Sequence, residues 1–361
     1  MSTNLEQIYD RLIATWDRLL TDPAEDPSKL RDEHFLFFEH EGDFSKVYTE
    51  EELQRFKDEA ALPSASLADM CAPFNKDFAR VKLELEEQLR RPRLRSYGES
   101  YFANNRNLFV GVVPNYDLNA TVMRIADGEH LVLLNLGLTH TVYTLAKLCT
   151  SQMRTSRDIP LREWKPEPPM ELLRAYLKRY FEFYITTGAI TPERSVAPKE
   201  SQIAALARIT RYAEMFAVAH EMGHVIEGHL RPGRLTKRTL LQETFDVYEG
   251  SFDKELVADR IGVEIVFSLF PPEEGIDSFD LRAAIAGVNL FFRTADFMEK
   301  LLGFNSRTHP PASERRYEFL DVIYKRYSHR NLSFSNSIDH LIEHELLKDF
   351  FDVWRKKDAS D

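Results

Sequence analysis

Apolar residues recur at helical spacing near the start of the chain. Leu5, Ile8, Leu12, Trp16, Leu19 and Leu20 predict a helix over residues 5–20. A second helical pattern, charged on one face, covers residues 75–90. The intervening "TDPAEDPSK" reads as loop. After "RRPRLRSYG" the period changes. "NRNLFVGVVPN" favours a strand, and "ATVMRIADGEHLVLLNLGL" reads as a hairpin with strands at 120–126 and 130–136 and a turn at Asp127-Gly128. "THTVYTLAKLC" then opens a helix. Residues 157–169 are proline-rich and read as an irregular excursion, 170–186 as an amphipathic helix, and long helical patterns run from Pro198 to the end. The pattern predicts an α+β fold, mostly helical, with a small β-sheet or hairpin. Three regions follow: a helical N-terminal region, 1–95, with no evident chemistry; a core, 96–325; and a C-terminal helical extension, 326–361.

One helical run interrupts its apolar character with ionisable groups. In "RYAEMFAVAHEMGHVIEGHL" (211–230), His220 and His224 stand four apart, with Glu221 between them. Residues i and i+4 share a helix face, so both imidazoles can aim a nitrogen at one ion. Glu221 is rotated about 100° from His220 and sits beside that ion as a candidate general base. This HExxH arrangement supplies two zinc ligands and a base. Buried imidazoles need partners, and a metal provides one. Gly223 is small enough to admit a second element close to the helix.

A catalytic zinc takes three protein ligands and leaves a position for water. The third candidate lies in "SFDKELVADRIGVEIV", where Glu255 and Asp259 again share a helix face. Glu255 can reach the metal. Asp259, one turn on, can accept a hydrogen bond from a ligand histidine and hold its tautomer. A solvated acidic face is the competing reading of this pair. His229 does not fit a third-histidine pattern and reads as a surface or helix-end histidine. His340 and His344, flanked by Glu343 and Glu345, read as a solvated helix face.

Composition narrows the setting. The chain has 361 residues, 43% of them hydrophobic and 29% charged, the balance of a globular protein with a sizeable core. Its net charge of −11 argues against nucleic acid as a partner. Two distant cysteines, Cys71 and Cys149, offer neither a disulfide framework nor a cysteine zinc site, so a reducing, cytoplasmic setting is expected. The charged N-terminus lacks the pattern of a secretory signal, and no apolar stretch is long enough to span a bilayer.

Taken in order, "AVAHEMGHVIEGH", "ELVAD" and "THPPASERR" resemble the gluzincin metallopeptidases, in particular the CaaX prenyl protease and HtpX-like group. The hairpin region is similar too, with Asn119, Ala120, Gly137 and Leu138 at matching positions. The resemblance covers roughly residues 115–320, with an added segment at about 139–200. It implies a zincin-like core whose hairpin packs on the HExxH helix, one Zn2+ held by His220, His224 and Glu255, Glu221 as general base, and a protein or peptide substrate. It offers His309 and Arg315 as oxyanion donors. The competing reading of these two is a loop histidine and a structural arginine paired with an acid such as Asp259. The strand at 130–136 is a candidate edge for substrate strand addition, or else an ordinary core strand. Membrane-embedded members carry spanning helices that this chain lacks. The short gap from His224 to Glu255 also suits soluble regulatory or phage-exclusion proteases with one intracellular target. A regulatory protein with a structural zinc on the same scaffold is the alternative outside enzymology.

Overall fold

The computed structural model describes residues 4–21, 67–114, 119–126, 128–153, 169–187, 198–230, 235–240, 243–248, 251–270, 278–301, 310–327 and 329–346. The fold is α+β and mostly helical. Its elements run in the order α1 (Asn4–Thr21), α2 (Leu67–Leu89), a short 3-10 turn (Pro92–Leu94), α3 (Arg95–Asn104), β1 (Asn107–Val113), β2 (Ala120–Ala126), β3 (Glu129–Asn135) and α4 (Leu136–Ser151). They continue as α5 (Met170–Thr187), α6 (Glu200–Ile226), β4 (Leu235–Leu240), β5 (Glu243–Tyr248), α7 (Phe252–Phe267), α8 (Phe279–Leu301), α9 (Ala312–Arg326) and α10 (His329–His340), which runs into a π-helical turn at Leu341–Leu346. The excursion expected at 157–169 lies almost wholly outside the described residues.

The five strands form one sheet in the order β1-β3-β2-β5-β4. The predicted hairpin forms, with β2 and β3 antiparallel and a register irregularity between Arg124 and Ala126. Its partners differ from expectation. β1 adds to β3 in parallel, so β3 is an interior strand and not an edge. The residues of β3 explain this: His130 to Asn135 are buried without alternation, as a strand covered on both faces requires. A second correction concerns 235–248, where a helical pattern was expected. The segments "LTKRTL" and "ETFDVY" form a β-hairpin, and β5 reaches β2 at Met123 and Arg124. Thr and Val favour the pleated surface, and the open edge of β2 gives that preference a partner.

The N-terminal helices cover the outer edge of β1. Tyr9 of α1 donates its hydroxyl proton to Val112 O, and Asn75 of α2 accepts from Val112 N–H at 2.8 Å. Asn75 also donates to the Tyr9 hydroxyl at 2.8 Å. Side chains thus occupy the backbone groups that would recruit another strand. One continuous set of buried apolar residues extends from Ile8 to Leu346.

Helix α6 lies at the centre, packed by α7, α8, α4 and α3. Its burial on nearly every face follows from its apolar composition between Ala205 and Ile226. One of its polar side chains carries a pH signature. Half-buried Glu214 has its carboxyl pushed up to about 7, first by burial and then by Asp77 of α2, with Arg211 opposing. The folded chain therefore holds this proton more tightly than the unfolded chain, whose value is 4.5. The contribution to stability is complete below about 4.5 and is lost as pH rises through about 7. Glu214→Gln is expected to leave Tm unchanged at pH 4.5 and to raise it at pH 8. Thermal unfolding across that range checks the sign.

Candidate metal centre

His220, Glu221 and His224 occupy the last two turns of α6, all buried. Glu255 and Asp259 stand in the first half of α7, 2% and 6% exposed. The two helices meet through glycine. A Cβ built at Gly223 would fall 2.9 Å from Ala258 O and 3.0 Å from Ala258 Cα. One at Gly262 would fall 3.1 Å from His220 N and 3.3 Å from His220 Cα. Each glycine thus lets one backbone rest against the other. The i, i+4 faces His220/His224 and Glu255/Asp259 are brought into register by this contact.

Three donor atoms converge. His220 Nε2 lies 3.2 Å from His224 Nε2 and 3.4 Å from Glu255 Oε2, and His224 Nε2 lies 3.6 Å from Glu255 Oε1. Zinc bonds of about 2.0–2.1 Å at tetrahedral angles separate ligand atoms by about 3.3–3.4 Å. The triangle therefore has the dimensions of three ligands around one ion. His220, His224 and Glu255 are the one group of this kind among the described residues.

The protons are arranged to suit a cation. His220 Nδ1 lies 2.8 Å from Asp259 Oδ1, a carboxylate oxygen that can only accept. The Nδ1 proton therefore belongs to His220, and its Nε2 lone pair points into the triangle in the neutral ring. Burial opposes charge on His220, but the Asp259 and Glu255 hydrogen bonds and the negative charges of Asp259 and Glu221 outweigh it and push its pKa up to about 10. These carboxylates draw positive charge to the His220 ring, where a proton and a metal ion would compete for Nε2.

Asp259 is itself clamped. Arg315, at the start of α9, donates from Nε to Oδ2 at 2.6 Å and from Nη2 to Oδ1 at 2.7 Å. Burial alone would raise the Asp259 pKa, yet Arg315 and His220 together hold it below the usual range. Of the two readings of Arg315, the pairing with Asp259 is present: its fork serves that carboxylate. His309 lies outside the described residues. Arg315→Met leaves Asp259 buried without its cation. The expected cost is about 3–5 kcal/mol of stability in urea unfolding, with Arg315→Lys intermediate.

The remaining sequence expectations divide. Asp259 stands where a partner for a ligand histidine was expected. His229 stands at the helix end, as expected, but not on the surface: it is 4% exposed, with its Nδ1 2.9 Å from His224 Nδ1. The signal for it was Gly228, a helix-terminating glycine that turns the chain back. Gly262, one further turn along α7 than Asp259, was also missed; its helical spacing from Glu255 is the available clue. Asn104 of α3 was missed as well. Its amide donates to Val225 O and Ile226 O at 3.1 and 3.3 Å and so caps the end of α6. Asn119 accepts from Ala120 N–H at 2.9 Å, and Gly137 and Leu138 lie buried in the first turn of α4. The His344 side chain is 64% exposed, as a solvated face predicts. Comparison with protein-family models, curated proteins and solved structures finds no match to this chain.

Proposed function

We propose that this chain is a zinc metallopeptidase with a zincin-like core, and that it hydrolyses peptide bonds in a protein or peptide substrate. The observation that carries the reading is the convergence of His220, His224 and Glu255 from two helices at 3.2–3.6 Å, with Glu221 on the same helix as the histidines. Zinc bound there supplies a Lewis acid that polarises a carbonyl and acidifies water. The chain's own residues do the rest. His220 and His224 present nitrogen lone pairs from one helix face, and Glu255 adds one negative charge from the facing helix. Asp259 and Arg315 hold the His220 ring in its required tautomer. Glu221 takes a proton from water and returns it to the leaving amine. A structural zinc site has no need of such a base and closes its fourth position with another side chain.

Substrate binding in this reading falls to β2. It packs against α6, and among the described residues β5 pairs only with its Met123 and Arg124. An extended peptide can add at the Ala120 end of β2, beyond its pairing with β5. No helix among the described residues is long and apolar enough to cross a membrane. The test is metal analysis of the purified chain with hydrolysis of a peptide library before and after chelation. One zinc per chain, with cleavage lost on chelation and restored by zinc, is expected. A chain that binds no zinc overturns the proposal.

A further inference from the structure

Helix α6 ends in a turn that folds the chain back onto the candidate metal centre. Gly228 N–H donates to Val225 O at 3.1 Å, and His229 N–H donates to His224 O at 3.0 Å. This pair of bonds needs a left-handed residue between the helix and His229, and Gly228 provides it with φ 65°. The turn lays the His229 ring against His224, with centroids 5.1 Å apart and the two Nδ1 atoms 2.9 Å apart.

Two ring nitrogens at this distance share one proton, so one ring donates and the other accepts. Donation by His229 would leave the proton of neutral His224 on Nε2. That N–H would then point at His220 Nε2, 3.2 Å away, and remove a lone pair from the donor triangle. Donation by His224 keeps its Nε2 lone pair facing Glu255 and His220. We infer that His229 is a positioning residue: it accepts the Nδ1 proton of His224 and thereby fixes the tautomer and ring orientation through which His224 binds metal. This rests on the reading of the triangle as a metal centre.

The choice of partner has an electrostatic reason. Asp259 and the guanidinium of Arg315 support His220 with a charged pair. A second carboxylate behind His224 would add to the negative charge already held by Glu221, Glu255 and Asp259. A neutral imidazole accepts the proton without adding charge. The backbone bond from His229 N–H to His224 O fixes the turn that brings the two rings together.

The test compares wild type, His229→Leu and His229→Asn in chelator competition for zinc. Asparagine places a carbonyl oxygen near the position of the lost Nδ1 and is expected to keep affinity within a few-fold of wild type. Leucine offers no acceptor, and its zinc affinity is expected to fall about 10–100-fold, as for other outer partners of ligand histidines. A second measurement does not depend on how the variants fold. Nitrogen NMR of the wild-type imidazoles is expected to show His224 protonated at Nδ1 and His229 protonated at Nε2. Undiminished zinc affinity in His229→Leu, or a proton on His229 Nδ1, overturns the inference. A wild-type chain that takes up no zinc overturns the metal reading instead, and the NMR of the metal-free chain then still decides which ring donates.

Discussion

Glu221→Gln is expected to keep one zinc per chain and to lose peptide hydrolysis by about 10²–10⁴-fold, the usual contribution of a positioned acid–base group. Gln matches Glu in size but cannot take a proton. Glu221 is not one of the three converging donors, so the triangle of His220, His224 and Glu255 survives the change. Its charge also raises the pKa of His220, but the three donor side chains are untouched, so metal uptake is expected to be retained. Substitution of a ligand gives the opposite pattern: Glu255→Gln is expected to lose zinc first and activity as a consequence. Metal content and turnover measured on the same preparations separate the two. Full turnover in Glu221→Gln would remove this residue from the mechanism.

Gly262→Val is expected to abolish zinc binding at the proposed centre although the residue is not one of its three donors. Its Cβ would meet His220 N at 3.1 Å and the Phe216 ring at 3.2 Å, before the two further methyl carbons are counted. The first obstacle is backbone inside a buried helix, which has no rotamer to adopt. The helices must separate, at a cost of about 1–3 kcal/mol typical of overpacking. Separation carries Glu255 and Asp259 away from His220 and His224. Ligand distances tolerate only about 0.2 Å, so zinc affinity is expected to fall by more than 100-fold. Gly223→Val acts from the other side, against Ala258 O and Cα. Gly262→Ala needs a shift of only a few tenths of an ångström and is expected to lie between wild type and valine. Zinc competition together with thermal unfolding of the metal-free proteins distinguishes a displaced centre from a collapsed fold. Wild-type zinc affinity in a folded Gly262→Val would show that the helix contact does not set the ligand geometry.

Much of the candidate site was legible because its parts are local. His220 and His224 share a face by helical period, as do Glu255 and Asp259, and no long-range information is needed to see either pair. The hairpin of β2 and β3 was legible for the same reason, from the turn signal in the sequence between two strands of seven residues. The position of β3 inside the sheet was not. A strand's neighbours are set by pairing across the chain, and β1 pairs in parallel with β3 across the intervening β2. The strands β4 and β5 escaped notice because their weak alternation becomes a preference only against the edge of β2. His229 was misjudged through its neighbour: its exposure depends on where Gly228 sends the chain, and that is a matter of one backbone angle.

The sequence by itself determined the candidate donors, since the identity and face of each follow from residue type and a period of 3.6. The tertiary structure alone decided that the donors form one centre. His220 and Asp259 are 39 residues apart, and Arg315 closes on Asp259 from 56 residues further on. The distances between them depend on how closely two backbones can pack at Gly223 and Gly262. Excluded volume between distant segments sets that approach, and no local window of sequence contains it.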